Sequence, residues 1–108
     1  MYKNFFETVY EIVKQIPAGK ATSYGQVALL SGKPNTARAV GYALKAIPLN
    51  RHYEIPWHRV INTKGYISIR NIPNAHSIQR NLLEKEGIIF CEDGKIDLSK
   101  YGWFPYST

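Results

Sequence analysis

The chain has 108 residues and a formal net charge of +6, and this length fits one compact domain, which we expect to span residues 1–108. A single cysteine cannot form an internal disulfide, and three scattered histidines form no ligand cluster, so neither a metal nor another cofactor is expected. No stretch approaches the roughly 18 apolar residues of a membrane span, and the first residues lack the layout of a secretion signal. We therefore expect an intracellular protein with no membrane partner.

The positive charge is concentrated in the middle of the chain. From Lys14 to Arg80 the sequence has ten Lys or Arg residues against one acid, Glu54, whereas residues 1–13 sum to −1 and residues 81–108 to −2. A concentrated basic segment favours a polyanion such as nucleic acid as the partner, although such charge can also serve solubility alone. The further candidate phosphate contacts are Lys20, Lys33, Lys45 and Arg51.

Three helices are predicted in the first half of the chain. The first ends at Pro17, and its inner face has apolar residues at spacings of three and four. Ser23 and Gln26 form a capping-box pattern that opens a second helix, and Asn35 is expected to cap a third, which Pro48 closes. Two short helices joined by a glycine-containing turn predict a helix-turn-helix at about residues 23–47. The expected inner faces are Phe5, Phe6, Val9, Ile12, Val13 and Ile16 in the first helix, and Ala37, Val40, Leu44 and Ile47 in the third.

The second half is predicted to contain two short hairpins and one helix. Residues 60–61 and 66–69 flank a turn, as do residues 88–91 and 95–98. A helix is expected from about Ala75 to Glu86, with Ile78, Leu82 and Leu83 inward and Gly87 as its stop. The aromatic tail at 101–106 either packs on the core or docks a partner. These elements predict a mainly helical α/β fold, a winged-helix-like domain with short hairpins.

Three motifs in order resemble one family. Residues 55–61, Ile-Pro-Trp-His-Arg-Val-Ile, resemble the Pro-Cys-His-Arg-Val signature of DNA alkyltransferases, which repair O6-alkylguanine, with Trp57 in place of the cysteine. Residues 22–28 resemble the first helix of the family's helix-turn-helix, and residues 33–41 resemble its recognition helix. Tryptophan at the nucleophile position, together with the missing N-terminal domain, is similar to the alkyltransferase-like proteins, the non-enzymatic branch.

The substitution at position 57 determines what chemistry is expected. Alkyl transfer requires a thiolate nucleophile, and an indole N–H has no available lone pair, so Trp57 can stack against or cap a base but cannot accept an alkyl group. Cys91 lies in an apolar run and is expected to be an ordinary buried residue. Two alternatives remain: an enzyme, either an alkyltransferase using Cys91 or a glycosylase-like activity, and a sequence-specific helix-turn-helix regulator.

The resemblance implies roles for the helix-turn-helix residues. Arg38 would fill the gap left when the modified guanine is rotated out of the duplex, and Tyr24 would push against the adjoining phosphate. The alternative interpretation is that Arg38 is simply a solvated side chain and that Tyr24 is an aromatic residue of the core. Small residues at Thr36, Ala37 and Gly41 leave the helix thin, which suits minor-groove docking without sequence preference, although Gly41 can equally serve helix packing.

The resemblance also implies the pocket. The carbonyl of Val60 would accept from the guanine amino group, and Arg70 would contact the modified base through cation–π or hydrogen bonds unless it is a solvent-facing loop residue. His58 and Glu86 are expected to remain as a buried hydrogen-bonded pair that shapes the site. Asn50 corresponds to a hinge between the helix-turn-helix and the pocket.

The function implied is DNA damage recognition without catalysis. The partner is double-stranded DNA containing O6-alkylguanine, bound through the minor groove, and the flipped lesion is marked for other machinery, with nucleotide excision repair proteins as the expected recipients. We expect a monomer that acts in the cytoplasm and nucleoid, or in the nucleus of a eukaryote.

Overall fold

A computed structural model describes residues 4–69 and 72–105. Within this part, the predicted mainly helical α/β architecture is confirmed, and none of the helices is both long and apolar enough to cross a membrane. The helices are α1 (Phe5–Val13), α2 (Tyr24–Leu30), α3 (Ala37–Lys45), α4 (Ala75–Lys85) and α5 (Leu98–Tyr101), the strands are β1 (Thr22–Ser23) and β2 (Val60–Ile61), and 3₁₀ turns occupy Leu49–Arg51 and Trp57–Arg59.

The predicted helix-turn-helix is present as α2 and α3. The Ser23 hydroxyl oxygen accepts from the Gln26 N–H at 3.1 Å, so Ser23 caps α2 as its sequence pattern predicts. The Tyr10 hydroxyl donates to the Ala43 carbonyl at 2.7 Å and fixes α1 against α3. Burial of apolar side chains between these three helices stabilises their packing. Their shared core includes Val9, Val13, Ile16, Val27, Ala28, Val40, Leu44, Ile47, Ile55 and Val60.

The two strands join the helix-turn-helix to the motif that contains Trp57. They pair in parallel, with Thr22 opposite Val60 and Ser23 opposite Ile61. Residues 66–69 form no strand, so the predicted hairpin of residues 60–61 with 66–69 is wrong, although a turn is present: the Asn62 N–H donates to the Tyr66 carbonyl at 3.0 Å. Both residues of β2 are fully buried, and their partner strand is the segment directly before α2.

The C-terminal region folds back onto the same core. Cys91 and Lys95 close a turn through a 2.8 Å hydrogen bond, but Ile96 then donates to the Gly65 carbonyl and α5 follows, so the predicted terminal hairpin is wrong. A side chain at Gly65 would lie 2.5 Å from the Ile96 carbonyl oxygen, which explains glycine there. Trp103 donates to the Ala21 carbonyl and packs on the helical core, so the tail, as far as residue 105, packs inward.

Four local expectations are corrected by the structure. Asn35 adopts a φ of 72° and Thr36 takes the N-cap position of α3, so Asn35 does not cap that helix. Phe6 and Ile78 are exposed rather than inward, because the core is covered by their neighbours in α1 and α4. Cys91 is exposed, because the turn at 91–94 carries it away from the core.

Candidate nucleic-acid interface

A groove of about 380 Å³ runs along the exposed side of α3. Arg38 lies in the first turn of this helix, is exposed, and has no ion pair or hydrogen bond with any residue in the described part of the chain. Its guanidinium group is therefore available to an external ligand. The groove is lined by Tyr24, Ala37, Arg38, Gly41, Tyr42, Leu44, Lys45, Ser68 and Ile69.

Tyr24 is placed both to pack on the core and to face a ligand in the groove. It opens α2, and its ring packs against the helical core while it also lines the groove. Burial raises the pKa of the Tyr24 hydroxyl above its usual value, an effect that a hydrogen bond with the Ser68 side chain opposes. A Cβ placed on Gly41 would lie 4.0 Å from the Tyr24 ring, which is ordinary contact, so Gly41 keeps the helix thin without being sterically required.

The N-terminus of α3 opens into this groove. The Thr36 hydroxyl donates to the Lys33 carbonyl and does not cap the helix, so the first N–H groups of α3 have no side-chain acceptor. Ala37 follows directly and lines the groove. Uncapped amide groups at a helix N-terminus favour an anion such as phosphate.

An apolar pocket of about 270 Å³ continues from the groove to Trp57. The two cavities share Leu44, Lys45 and Ile69. A more polar cavity of about 490 Å³ shares His52, Trp57 and Ile78 with the apolar pocket. Trp57 thus borders both cavities. The apolar pocket is lined by Leu44, Lys45, Leu49, His52, Trp57, Ile69, Ile72, Ala75 and Ile78.

A buried ionic cluster, made of His58, Arg59 and Glu86, supports the motif from beneath. The Glu86 carboxylate accepts from His58 Nε2 at 2.8 Å and from Arg59 Nη2 at 2.6 Å, and the Gly19 N–H donates to it at 3.0 Å. Arg59 also donates to the Ile16 carbonyl at 2.7 Å. The side chains are only 12%, 16% and 15% exposed for His58, Arg59 and Glu86. The cluster therefore ties the motif to the end of α4 and to the loop after α1.

The surroundings of the cluster fix its charge state. Burial acts to raise the pKa of Glu86, but the hydrogen bonds from Arg59, His58 and the Gly19 N–H outweigh it and lower this pKa to about 2. Burial lowers the pKa of His58 below its usual 6.5, against the opposing effect of Glu86. Near neutral pH the imidazole is therefore uncharged, and its Nε2–H donates to the carboxylate.

Gln79 holds the backbone of the motif in place. Its side-chain amide donates to the carbonyls of His58 at 3.0 Å and Val60 at 2.9 Å, and the residue is only 1% exposed. The carbonyl expected to accept from a guanine amino group is thus buried and already accepts from Gln79. That contact with guanine stays a prediction, and a base would have to share the oxygen or displace the amide.

Three candidates from the sequence remain to be placed: Arg70, Asn50 and Cys91. Arg70 falls outside the described residues. Asn50 is exposed in the 3₁₀ turn between α3 and the motif. Cys91 lines a separate groove with Lys64 and Asp97, which shares no residue with the Trp57 pocket. Among the described residues, no three His, Cys, Asp or Glu side chains are grouped so as to hold a metal ion.

The sequence gives no sign of the side chains that hold the motif in place. Arg59 lies inside the quoted motif, yet nothing in the sequence pairs it with Glu86. Gln79 occupies a buried position in α4 where the apolar periodicity predicts a hydrophobic residue. Tyr42 lies four residues after Arg38, and Lys45 lies three residues after Tyr42, which is the signal that could have placed them on the same groove.

Comparisons with known proteins agree with this geometry. The family model for the DNA-binding domain of 6-O-methylguanine DNA methyltransferase matches residues 4–88. The chain is 40% identical over 105 residues to alkyltransferase-like protein 1 of Schizosaccharomyces pombe, covering 94% of this chain and 95% of that protein. It is 42% identical over 101 residues to the DNA base-flipping protein of Vibrio parahaemolyticus, covering 94% and 97% of the two chains.

A solved structure also matches the fold. This is S. pombe Atl1 in complex with damaged DNA containing O6-carboxymethylguanine. It superposes with a TM-score of 0.83 at 40% sequence identity, and the match covers 97% of this chain and all of that one. The similarity therefore extends over the groove, the pocket and the motif alike.

Proposed function

The chain belongs to the alkyltransferase-like branch of the 6-O-methylguanine DNA methyltransferase family, and we propose that it binds double-stranded DNA containing O6-alkylguanine and holds the modified base without catalysis. One observation carries this proposal: Arg38, which has no ion pair or hydrogen bond with the described residues, lies at the groove that leads to the apolar pocket of Trp57. The groove suits a DNA backbone, and the pocket suits a flat base.

Base flipping assigns a task to each part of the groove. A modified guanine inside a duplex is inaccessible, and rotating it out costs a few kcal/mol. The Arg38 guanidinium fills the vacated space in the stack, Tyr24 presses on the adjoining phosphate, and the uncapped N–H groups near Thr36 and Ala37 bind phosphate oxygens. The thin surface of α3 at Gly41 lets the helix approach the minor groove closely.

The pocket receives the base and does not react with it. Trp57 offers an aromatic face to the flipped guanine but no nucleophile for the alkyl carbon. Arg70, by its place in the family pattern, contacts the modified base, and Asn50 serves as a hinge beside the pocket. Alkyl transfer to Cys91 is disfavoured, because that thiol lines a groove separate from the one beside Trp57.

Holding a lesion without removing it requires a recipient. The flipped, occupied lesion presents a distorted duplex to other machinery, and nucleotide excision repair proteins are the proposed recipients. The protein would act as a monomer inside the cell, where the DNA is. His58 and Glu86 serve the site as a structural pair that holds the motif, not as activators of a nucleophile.

The decisive experiment compares duplexes that contain guanine or O6-methylguanine at one position. We expect tighter binding to the lesion duplex, no added mass on the protein, and a lesion recovered unchanged. An alkyl adduct on the protein or loss of the lesion would show an enzyme, and the Cys91→Ala variant would then reveal whether that thiol is the acceptor. Equal affinity for both duplexes would refute lesion recognition, and preference for one undamaged sequence would indicate a regulator.

A further inference from the structure

Tyr42 is a large exposed aromatic side chain that lines the groove. It is 56% exposed, and the buried residues of α3 are Val40, Ala43 and Leu44 on the other side of the helix. Within the described ranges, its hydroxyl has no hydrogen-bond partner and its ring has no aromatic partner. Tyrosine is also a poorer helix former than alanine, so the stability of α3 does not explain its presence.

The position of Tyr42 aligns it with Arg38. Residues four and three apart lie on one face of a helix, so Arg38, Tyr42 and Lys45 form a single row, and all three line the groove. At 1.5 Å per residue, Tyr42 lies about 6 Å beyond Arg38 along the axis of α3. Nucleotides of one DNA strand are about 3.4 Å apart along the duplex. With α3 docked along the direction of the DNA strand, this spacing would place Tyr42 about two nucleotides from the one that Arg38 replaces.

The chemistry of the side chain matches a DNA backbone rather than a base edge. Its ring offers an apolar surface to a deoxyribose, and its hydroxyl is one of the side-chain donors that bind phosphate oxygens. It carries no charge, so it releases no counterion when it binds. Its neighbour Lys45 supplies the charge in the same row.

We propose that Tyr42 forms a second, lesion-independent contact with DNA, in which its ring packs on a deoxyribose and its hydroxyl donates to a phosphate about two nucleotides from the flipped base. This inference rests on the proposed function. Because the contacted nucleotide stays stacked, the contact forms with damaged and undamaged duplexes alike. Arg38 provides preference for the lesion, whereas Tyr42 provides affinity for any duplex.

The test measures affinities of the wild type, Tyr42→Ala and Tyr42→Phe for the guanine and O6-methylguanine duplexes at several salt concentrations. Tyr42→Ala should weaken binding to both duplexes about three- to tenfold, the size of one net hydrogen bond with its packing, and leave their ratio unchanged. Tyr42→Phe should lose about two- to threefold through the hydroxyl alone. The salt dependence should stay that of the wild type, because no charge is removed.

Two variants outside the groove serve as controls. Ile89→Ala truncates another exposed side chain, and Tyr66→Phe removes a hydroxyl that donates to Asp93; both should bind DNA as the wild type does. Circular dichroism should show Tyr42→Ala folded, since alanine favours a helix.

The outcomes separate this inference from the proposed function. A wild type that binds both duplexes equally would refute lesion recognition, whatever Tyr42 does. If the wild type prefers the lesion duplex and Tyr42→Ala binds each duplex as tightly as the wild type does, the inference alone is overturned. A loss of affinity in Tyr42→Ala that is confined to the lesion duplex would also overturn the inference, because Tyr42 would then belong to the pocket. Wild-type affinity in Tyr42→Phe would exclude the hydrogen bond to phosphate.

Discussion

The groove along α3 and the ionic cluster beneath the motif each contain an arginine, and the two arginines differ in burial and in pairing. In the cluster, Arg59 donates to the Glu86 carboxylate and to the Ile16 carbonyl, and it is 16% exposed. In the groove, Arg38 is exposed and has no partner among the described residues. Both arginines lie in motifs quoted from the sequence, and the sequence alone does not separate them.

The difference teaches which cations serve the fold and which serve a ligand. A buried charge must be paired, and once it is paired it holds elements together. An exposed charge without a partner contributes little to folding, so its place in a groove is explained by what binds there. The cluster therefore predicts effects on stability, and the groove predicts effects on DNA binding.

Glu86→Gln should produce the largest effect and should act on stability. The variant keeps the side-chain shape but leaves Arg59 buried without its counter-charge, which costs about 3 kcal/mol of unfolding free energy. Denaturant unfolding measures this change. The control is Glu84→Gln, which breaks the exposed Arg80–Glu84 pair at 3.4 Å and should cost about 0.5 kcal/mol or less. Similar small losses in both variants would contradict the assignment of the cluster to the fold.

The pH dependence of stability tests the role of Glu86 in the cluster independently. The pKa of Glu86 is about 2 in the folded protein against an ordinary 4.5, so its contribution is complete above pH 4.5 and is lost as the pH falls towards 2. The lowered pKa of His58 has the same sign, and its contribution begins to be lost below pH 6.5. Below pH 4.5, the stability of Glu86→Gln should therefore fall less steeply than that of the wild type.

The fold was predictable where its causes are local. The Ser23 cap, the apolar spacing of α1 and the glycine stop after α4 each depend on residues within a few positions of one another. The pairing of β1 with β2 was not predictable in this way. Each strand has two residues, all of them buried, so there is no alternation of polar and apolar residues that could indicate a partner strand.

Arg38→Ala should produce the next largest effect and should act on lesion binding. Loss of the group that fills the vacated stack should weaken binding to the O6-methylguanine duplex by about 2 kcal/mol, or about thirtyfold, and binding to the guanine duplex less. Fluorescence anisotropy measures both affinities. The unfolding free energy should be unchanged, since Arg38 is exposed. Lys85→Ala, on the exposed side of α4, is the charge-matched control, and an equal loss there would reduce Arg38 to a general electrostatic role.

The candidate site was predictable only as far as its motifs extend. Arg38, Tyr24 and Trp57 follow from motifs that resemble a family, and the structure places them along one continuous groove and pocket. The bonds of Gln79 to the motif backbone are different, because they join α4 to a distant loop and replace an expected apolar contact. Which polar groups pair across such distances depends on tertiary packing, and local sequence does not specify it.

Lys45→Ala should produce the smallest effect, and it compares two cations that the sequence treats alike. Lys45 lines the groove and has no partner within residues 4–69 and 72–105, whereas Arg51 donates to Glu54 at 2.8 Å and to Glu7 at 3.0 Å. Lys45→Ala should cost about 1 kcal/mol in affinity and reduce the slope of log affinity against log salt by about one, because one fewer counterion is released. Arg51→Gln should leave the slope unchanged, because its charge is already balanced within the protein. Titrations of the lesion duplex over a series of salt concentrations measure both slopes. If Arg51→Gln lowers the slope as much as Lys45→Ala does, internal pairing does not decide which cations bind DNA.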